Sequence, residues 1–186
     1  HGINTKTNLA ILGTFFSAAI TSTLAYFFTH FAHISGFASE EANFLDIAKD
    51  GQLNIQSLLI AGIIIGSIGI LDDVSVSQVS VVNEIARANP KFGFFELFKR
   101  SMIVGRDHVA SMVNTLFLVY TGAAMPLMLL FLDNSVSFSQ IINTEMIAEE
   151  IVRTLVASIG LILAVPITTL MAANYYSKNK NLLQKE

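Results

Sequence analysis

Four stretches of roughly 20 mostly apolar residues recur along the chain, about the length a helix needs to cross a hydrocarbon layer about 30 Å thick. They run from about Asn8 to Phe31, from about Leu53 through a polar extension to Ala88, from about Val109 to Leu132, and from about Ile151 to Ala173. A backbone in lipid must satisfy its own hydrogen bonds, and only helices or closed barrels do so. The expected fold is an all-α, polytopic transmembrane helical bundle of four spans, forming one integral membrane domain over residues 1–186. Composition agrees, because 13% charged side chains is about half the share of a soluble domain. With no cysteine, disulfide scaffolds and thiolate chemistry are excluded, and a net charge of −3 gives no general reason to bind nucleic acid. The partner to expect is the lipid bilayer.

Orientation follows from Lys and Arg, which concentrate in short cytoplasmic loops. Lys6, Arg87, Lys91, Lys99, Arg100, Arg106, Lys178, Lys180 and Lys185 fall on one side of the spans, against Lys49 and Arg153 on the other. Both termini of the chain are therefore expected in the cytoplasm of a bacterial cell, with the protein in its plasma membrane. The opposite loops carry Glu40, Glu41, Asp46 and Asp50, then Asp133, Glu145, Glu149 and Glu150. The chain opens on His1 with neither the charged n-region nor the cleavage site of a signal peptide, and reads as the C-terminal part of a longer one.

The second span is the informative one. Leu58 to Leu71 is apolar or small apart from Ser67, but these 14 residues rise only about 21 Å. To cross, the helix must recruit the polar residues before it or the acidic doublet Asp72-Asp73 after it. Continued to Ala88 at about 100° per residue, it gathers Asp73, Ser77, Ser80, Asn83, Glu84 and Arg87 on one face. Asn89 and Pro90 suit the end of this helix and the start of another, with Pro at the first helical position. The next segment, about residues 90–100, mixes Phe92, Phe94, Phe95, Leu97 and Phe98 with Lys91, Lys99 and Arg100, and reads as a short cytoplasmic interfacial amphipathic helix. In the third span Asp107, Ser111, Asn114 and Thr121 share a face. Two polar stripes on adjacent helices are expected to face each other and satisfy one another inside the bundle.

Several blocks here resemble the YibE/YibF family of bacterial membrane proteins. They are Gly69-Ile70-Leu71-Asp72-Asp73-Val74, Asn83-Glu84, Asn89-Pro90, Gly105-Arg106-Asp107, Met112-Val113-Asn114-Thr115-Leu116, and the fourth span from Arg153-Thr154-Leu155 through Ser158-Ile159-Gly160 to Ala164-Val165-Pro166-Ile167-Thr168. The order of acidic helix, Asn-Pro elbow, Arg-initiated polar helix and Gly-to-Pro final helix is also distantly similar to the membrane core of SecD/SecF and the resistance-nodulation-division permeases. That second resemblance implies an intramembrane proton relay at Asp72 or Asp73, with Arg106 and Asn114 as partners. The doublet and the added Asp107 depart from the pattern and leave open which carboxylate titrates.

Each feature also has a plainer reading. A carboxylate inside the bilayer costs at least about 2.5 to 3.5 kcal/mol, so the doublet either marks a headgroup boundary or sits buried with partners such as Arg106 or Arg87. His108, beside Asp107, is an interface residue or a relay. His30 and His33 are two histidines at the end of a span, an incomplete ligand set, so no metal and no cofactor are expected. Gly62, Gly66 and Gly69 present a small-residue packing face, with Gly160 on the fourth span and Ala18, Ser22 and Ala25 on the first as matching surfaces. Pro126 and Pro166 free carbonyls near Gly122 and Ile162. The motifs of metalloproteases, serine hydrolases and nucleotide-binding folds are missing, and an enzyme is not expected.

Two functions remain. One is a permease-like protein in which Asp72, Asp73, Glu84, Arg106, Asp107 and Asn114, with Ser77, Ser80, Asn83, Arg87 and Ser111 as polar lining, couple proton or ion movement to export. The other is a non-transporting assembly or scaffold subunit, whose stripes bind a companion membrane protein of the same family or a second copy.

Overall fold

The computed structural model describes residues 4–132 and 137–179, and every regular element among them is an α-helix. In chain order these are α1 (Thr5–Phe31), α2 (Glu40–Ala48), α3 (Ile55–Ala88), α4 (Phe94–Leu132), α5 (Phe138–Ile142) and α6 (Glu145–Lys178). The helices α1, α3, α4 and α6 are long and apolar enough to cross a membrane. The protein is thus an all-α bundle with four candidate spans. Asp133, Lys180 and Lys185, used above to orient the chain, lie outside the described residues.

Local chemistry sets the helix ends. Asn4, Ser39 and Asn54 are N-caps whose side chains accept from the backbone N–H of Thr7, Ala42 and Ser57 at 2.9, 3.1 and 2.8 Å, satisfying donors the first turn leaves free. At the end of α1, His33 takes a left-handed conformation (φ 54°), while Ile34 N–H donates to the Thr29 carbonyl and His33 N–H to that of His30, both at 3.1 Å. The same double bond pattern closes α2, from Gly51 to Asp46 and from Asp50 to Ile47.

One expected boundary is absent. The segment read as a separate interfacial helix is the first part of α4, which runs unbroken into the third span. Pro90 does not start a helix, because the chain turns through Asn89 to Gly93, with the Asn89 side chain accepting from Lys91 N–H at 3.1 Å. No strong breaker separates Phe94 from Val109, and Gly105 weakens a helix by only about 1 kcal/mol. The apolar face read as lipid-seeking packs on protein instead: Leu97 is 1% exposed among Val82, Ala86 and Tyr176, with Phe94 and Phe98 beside it.

The long helices alternate in direction. Gly13 meets Thr168 and Gly160 meets Thr21, so α1 and α6 are antiparallel. Ser75 meets Thr168 and Gln78 meets Thr169, so α3 and α6 run together. Apolar side chains stack in three layers along the axis, around Ile63 and Val156, around Val74, Val109 and Val165, and around Val82, Leu97 and Ala172. The central helix is α6, which packs along α1, α3 and α4. Half of its most apolar stretch is buried, against 6% for α4, which is therefore peripheral.

The small residues divide differently from expectation. Gly160 does carry close packing, since a Cβ there would run into Thr21. Gly62, Gly66 and Gly69 do not, for each would have open space around an added Cβ. The buried face of α3 is Ile63, Ser67, Leu71 and Val74, which turns those three glycines outward. The glycines that do pack closely, besides Gly160, are Gly13, against Thr168, and Gly105, against Val165 and Gln78.

The start of α6 is tied to the α1–α2 connection by one carboxylate. Glu145 Oε1 accepts from Ser35 N–H at 2.6 Å, from Ser35 Oγ at 2.7 Å and from Gly36 N–H at 2.8 Å. Glu145→Ala is expected to lower stability by about 1 to 2 kcal/mol, below the sum of three charge-assisted bonds because the site is partly exposed. Thermal unfolding in detergent checks this, and Glu145→Gln, which keeps an acceptor, is expected to lose less.

Candidate functional site

The acidic doublet lies at the 18th and 19th residues of α3, about 26 Å from its start. Asp72 faces α1, where Thr14 Oγ1 donates to its Oδ1 at 3.3 Å. It opens into a crevice of about 210 Å³ between α1 and α3, shared with Asn4, Lys6, Thr7, Val76 and Ser80. One carboxylate, one amine and several hydroxyls or amides therefore line one small polar space. Both carboxylates are exposed, and Asp73, one residue on, makes no side-chain hydrogen bond or ion pair among the described residues.

The other predicted residues scatter. Asn83 is buried, and its Nδ2 donates to Glu84 Oε1 at 3.3 Å. Ser77 and Ser80 are half-buried, the latter bonded to the Val76 carbonyl at 3.0 Å, while Glu84 and Arg87 are exposed. Arg106, Asp107, Ser111 and Asn114 are exposed, and none forms an ion pair with the doublet. The expected facing of two polar stripes is therefore not what the fold has. The reason is the spacing on α4: Leu97, Ser101, Gly105 and Val109 recur every four residues, bury one face, and turn Asp107, Ser111 and Asn114 outward.

The ionisable groups nonetheless share a level. Leu71 and Val74 on α3 sit in one apolar layer with Val109 on α4, which brings Asp72, Asp73, Arg106, Asp107 and His108 to the same height on the bundle. Apolar surface continues past them. Gln78, about 9 Å further along α3, bonds to Thr169 and lies against Gly105, and the adjoining Leu170 and Val104 are 52% and 45% exposed. On α1, Ile11 and Leu12, just beyond Thr14, are exposed as well.

The polar groups that actually join the helices are ones the helical projection passed over. Gln78 Nε2 donates to the Ser101 carbonyl at 3.1 Å and to Thr169 Oγ1 at 2.6 Å, linking α3, α4 and α6. Thr168 Oγ1 donates to Ser75 Oγ at 3.3 Å, and all four side chains are at most 2% exposed. Their signal was the Ser75/Gln78 pair three residues apart, matched by the Thr168-Thr169 doublet. His30 and His33 are both exposed, with His30 Nδ1 on the Tyr26 carbonyl at 3.0 Å, and among the described residues no three His, Asp or Glu converge as metal ligands.

Residues 1–178 match the family described as YibE/F-like protein. The chain belongs to that family. Neither the curated proteins nor the solved structures gave a match. The family name carries no substrate, and the groups this YibE/F-like protein offers for chemistry are those around the Asp72 crevice.

Proposed function

We infer that this YibE/F-like protein is a permease-like membrane protein in which Asp72 binds and releases a proton coupled to movement of a substrate, with both termini on the cytoplasmic side of a bacterial plasma membrane. The observation that carries the reading is the position of Asp72: a carboxylate in a polar crevice, with exposed apolar side chains continuing about 9 Å beyond its level. An acid within an apolar belt is costly and tends to be functional. Thr14 can donate to the charged form, Lys6 stands in the same crevice toward the terminus, and Ser80 extends the polar path. Lys6, Arg87, Lys91, Lys99 and Lys178 gather at that end of the bundle, which supports the orientation.

A second reading, an assembly subunit, is favoured by the outward face of α4. Asp107, Ser111 and Asn114 on a helix facing lipid would each be costly, and a companion protein or second copy would cover them.

One experiment separates the two. The full-length protein is reconstituted in vesicles with a pH-sensitive dye inside, and proton influx is driven by a membrane potential. Asp72→Asn is expected to reduce the protein-dependent rate at least tenfold with abundance unchanged. An unaltered rate in the Asp72→Asn, Asp73→Asn double variant would overturn coupling, and lost abundance or lost complexes without a change in rate would favour assembly.

A further inference from the structure

At the end of the bundle opposite the Asp72 crevice, an open pocket of about 570 Å³ is bounded by the α1–α2 connection, α2, and the adjoining ends of α3, α4 and α6. That volume lies in the range of pockets that take drug-sized molecules. Leu58, Leu127 and Met146 are among the apolar residues of its wall, and its charged residues are Glu41, Glu149, Glu150 and Arg153. Three carboxylates against one guanidinium leave the cavity acidic.

The guanidinium is ion-paired to Glu150, with Arg153 Nε 3.5 Å from Glu150 Oε1, but that Nε has no hydrogen-bond partner among the described residues, and its charge also bears on Glu149. Glu149 is different. It is only 8% exposed, its Oε1 is buried with no hydrogen-bond partner among the described residues, and the Ala38 backbone amide approaches the carboxylate from the loop. A buried carboxylate oxygen with nothing donating to it is an expensive arrangement, relieved when a hydrogen-bearing cation arrives. An apolar body in the same cavity would add the burial of its own surface.

We propose that this cavity binds an amphiphilic primary ammonium, its apolar part against Leu58, Leu127 and Met146 and its –NH₃⁺ donating to Glu149. A metal ion fits the site less well, because one buried carboxylate and an apolar wall lack the six to eight oxygens Ca²⁺ takes. The ammonium has two possible sources, a free amphiphilic amine or the headgroup of an aminophospholipid. The site stands at the other end of the bundle from Asp72 and does not depend on the coupling role given to that residue.

The test uses dansylcadaverine, a fluorescent amphiphile ending in a primary amine, titrated into the full-length protein in phosphatidylcholine nanodiscs, with its N-acetylated, uncharged analogue as control. Saturable binding is expected, at least tenfold weaker for the acetylated probe and at least tenfold weaker for Glu149→Gln, which preserves shape while removing charge. Leu58→Trp, which fills the cavity and leaves Glu149 in place, is expected to block binding independently of any folding defect in the first variant. Competition when phosphatidylethanolamine is added to the nanodisc assigns the ammonium to lipid, and unaltered binding assigns it to a free amine. Equal affinity for the charged and acetylated probes, or full binding by folded Glu149→Gln, would overturn the proposal.

Discussion

Gly160→Val is expected to leave little correctly assembled protein. A Cβ at this position on α6 would run into the side chain of Thr21 on α1, and Thr21 has nowhere to go: it is 1% exposed and its hydroxyl is bonded to the Ser17 carbonyl at 2.8 Å. Relief requires separating two helices packed along most of their length. Overpacking of this kind typically costs about 1 to 3 kcal/mol for small additions and more where backbone must move, and a branched side chain facing a neighbouring helix is the second case. Gly160→Ala is the milder probe, its clash partly offset by about 1 kcal/mol of improved helix propensity. Thr21→Ala removes the obstructing hydroxyl and methyl, so the Gly160→Ala, Thr21→Ala double variant is expected to be more stable than the two single losses predict. Unfolding in graded denaturant across this cycle checks the contact, and strict additivity would refute it.

Gln78→Leu is the second large effect, expected to cost about 2 to 3 kcal/mol. Each of the two hydrogen bonds lost is worth about 1 kcal/mol net, and Thr169 Oγ1 is left without its donor in a buried site. The carboxamide also fills the space beside Gly105, so a side chain of another shape disturbs a close contact between α3 and α4. The loss should concentrate in α4, whose attachment away from α6 is sparse. Hydrogen exchange is therefore expected to speed up across residues 97–109 of α4 more than in α1 or the first half of α3. Uniform acceleration throughout the bundle would contradict this.

The spans were legible because lipid-length apolar runs admit few other folds, whereas α2, which Ser39 caps, and the Asn54 cap of α3 were not read from the sequence. The interior was less legible. Projecting polar residues onto a wheel treats charge and amide alike, so Asp73 and Glu84 drew the predicted stripe toward themselves, whereas the residues buried at that level are Ser75 and Gln78. Amides and hydroxyls are cheap to bury when partnered, and carboxylates are not. The small-residue rule failed for Gly62, Gly66 and Gly69 because spacing alone cannot say which side of α3 meets a neighbour. Glu149 was read as part of an acidic loop because α6 was expected to begin at Ile151, whereas it begins at Glu145. The spacing of Glu149, Val152, Val156 and Gly160 marks one helical face, and that signal was present in the sequence.

The central place of α6 bears on how the molecule is made. Among the described helices, the last long one in chain order is the one against which the other three rest, so a ribosome delivers α4 before the surface it leans on exists. These four helices can therefore close only once α6 has joined them, and a chain cut before Glu145 lacks the element on which α1, α3 and α4 all rest.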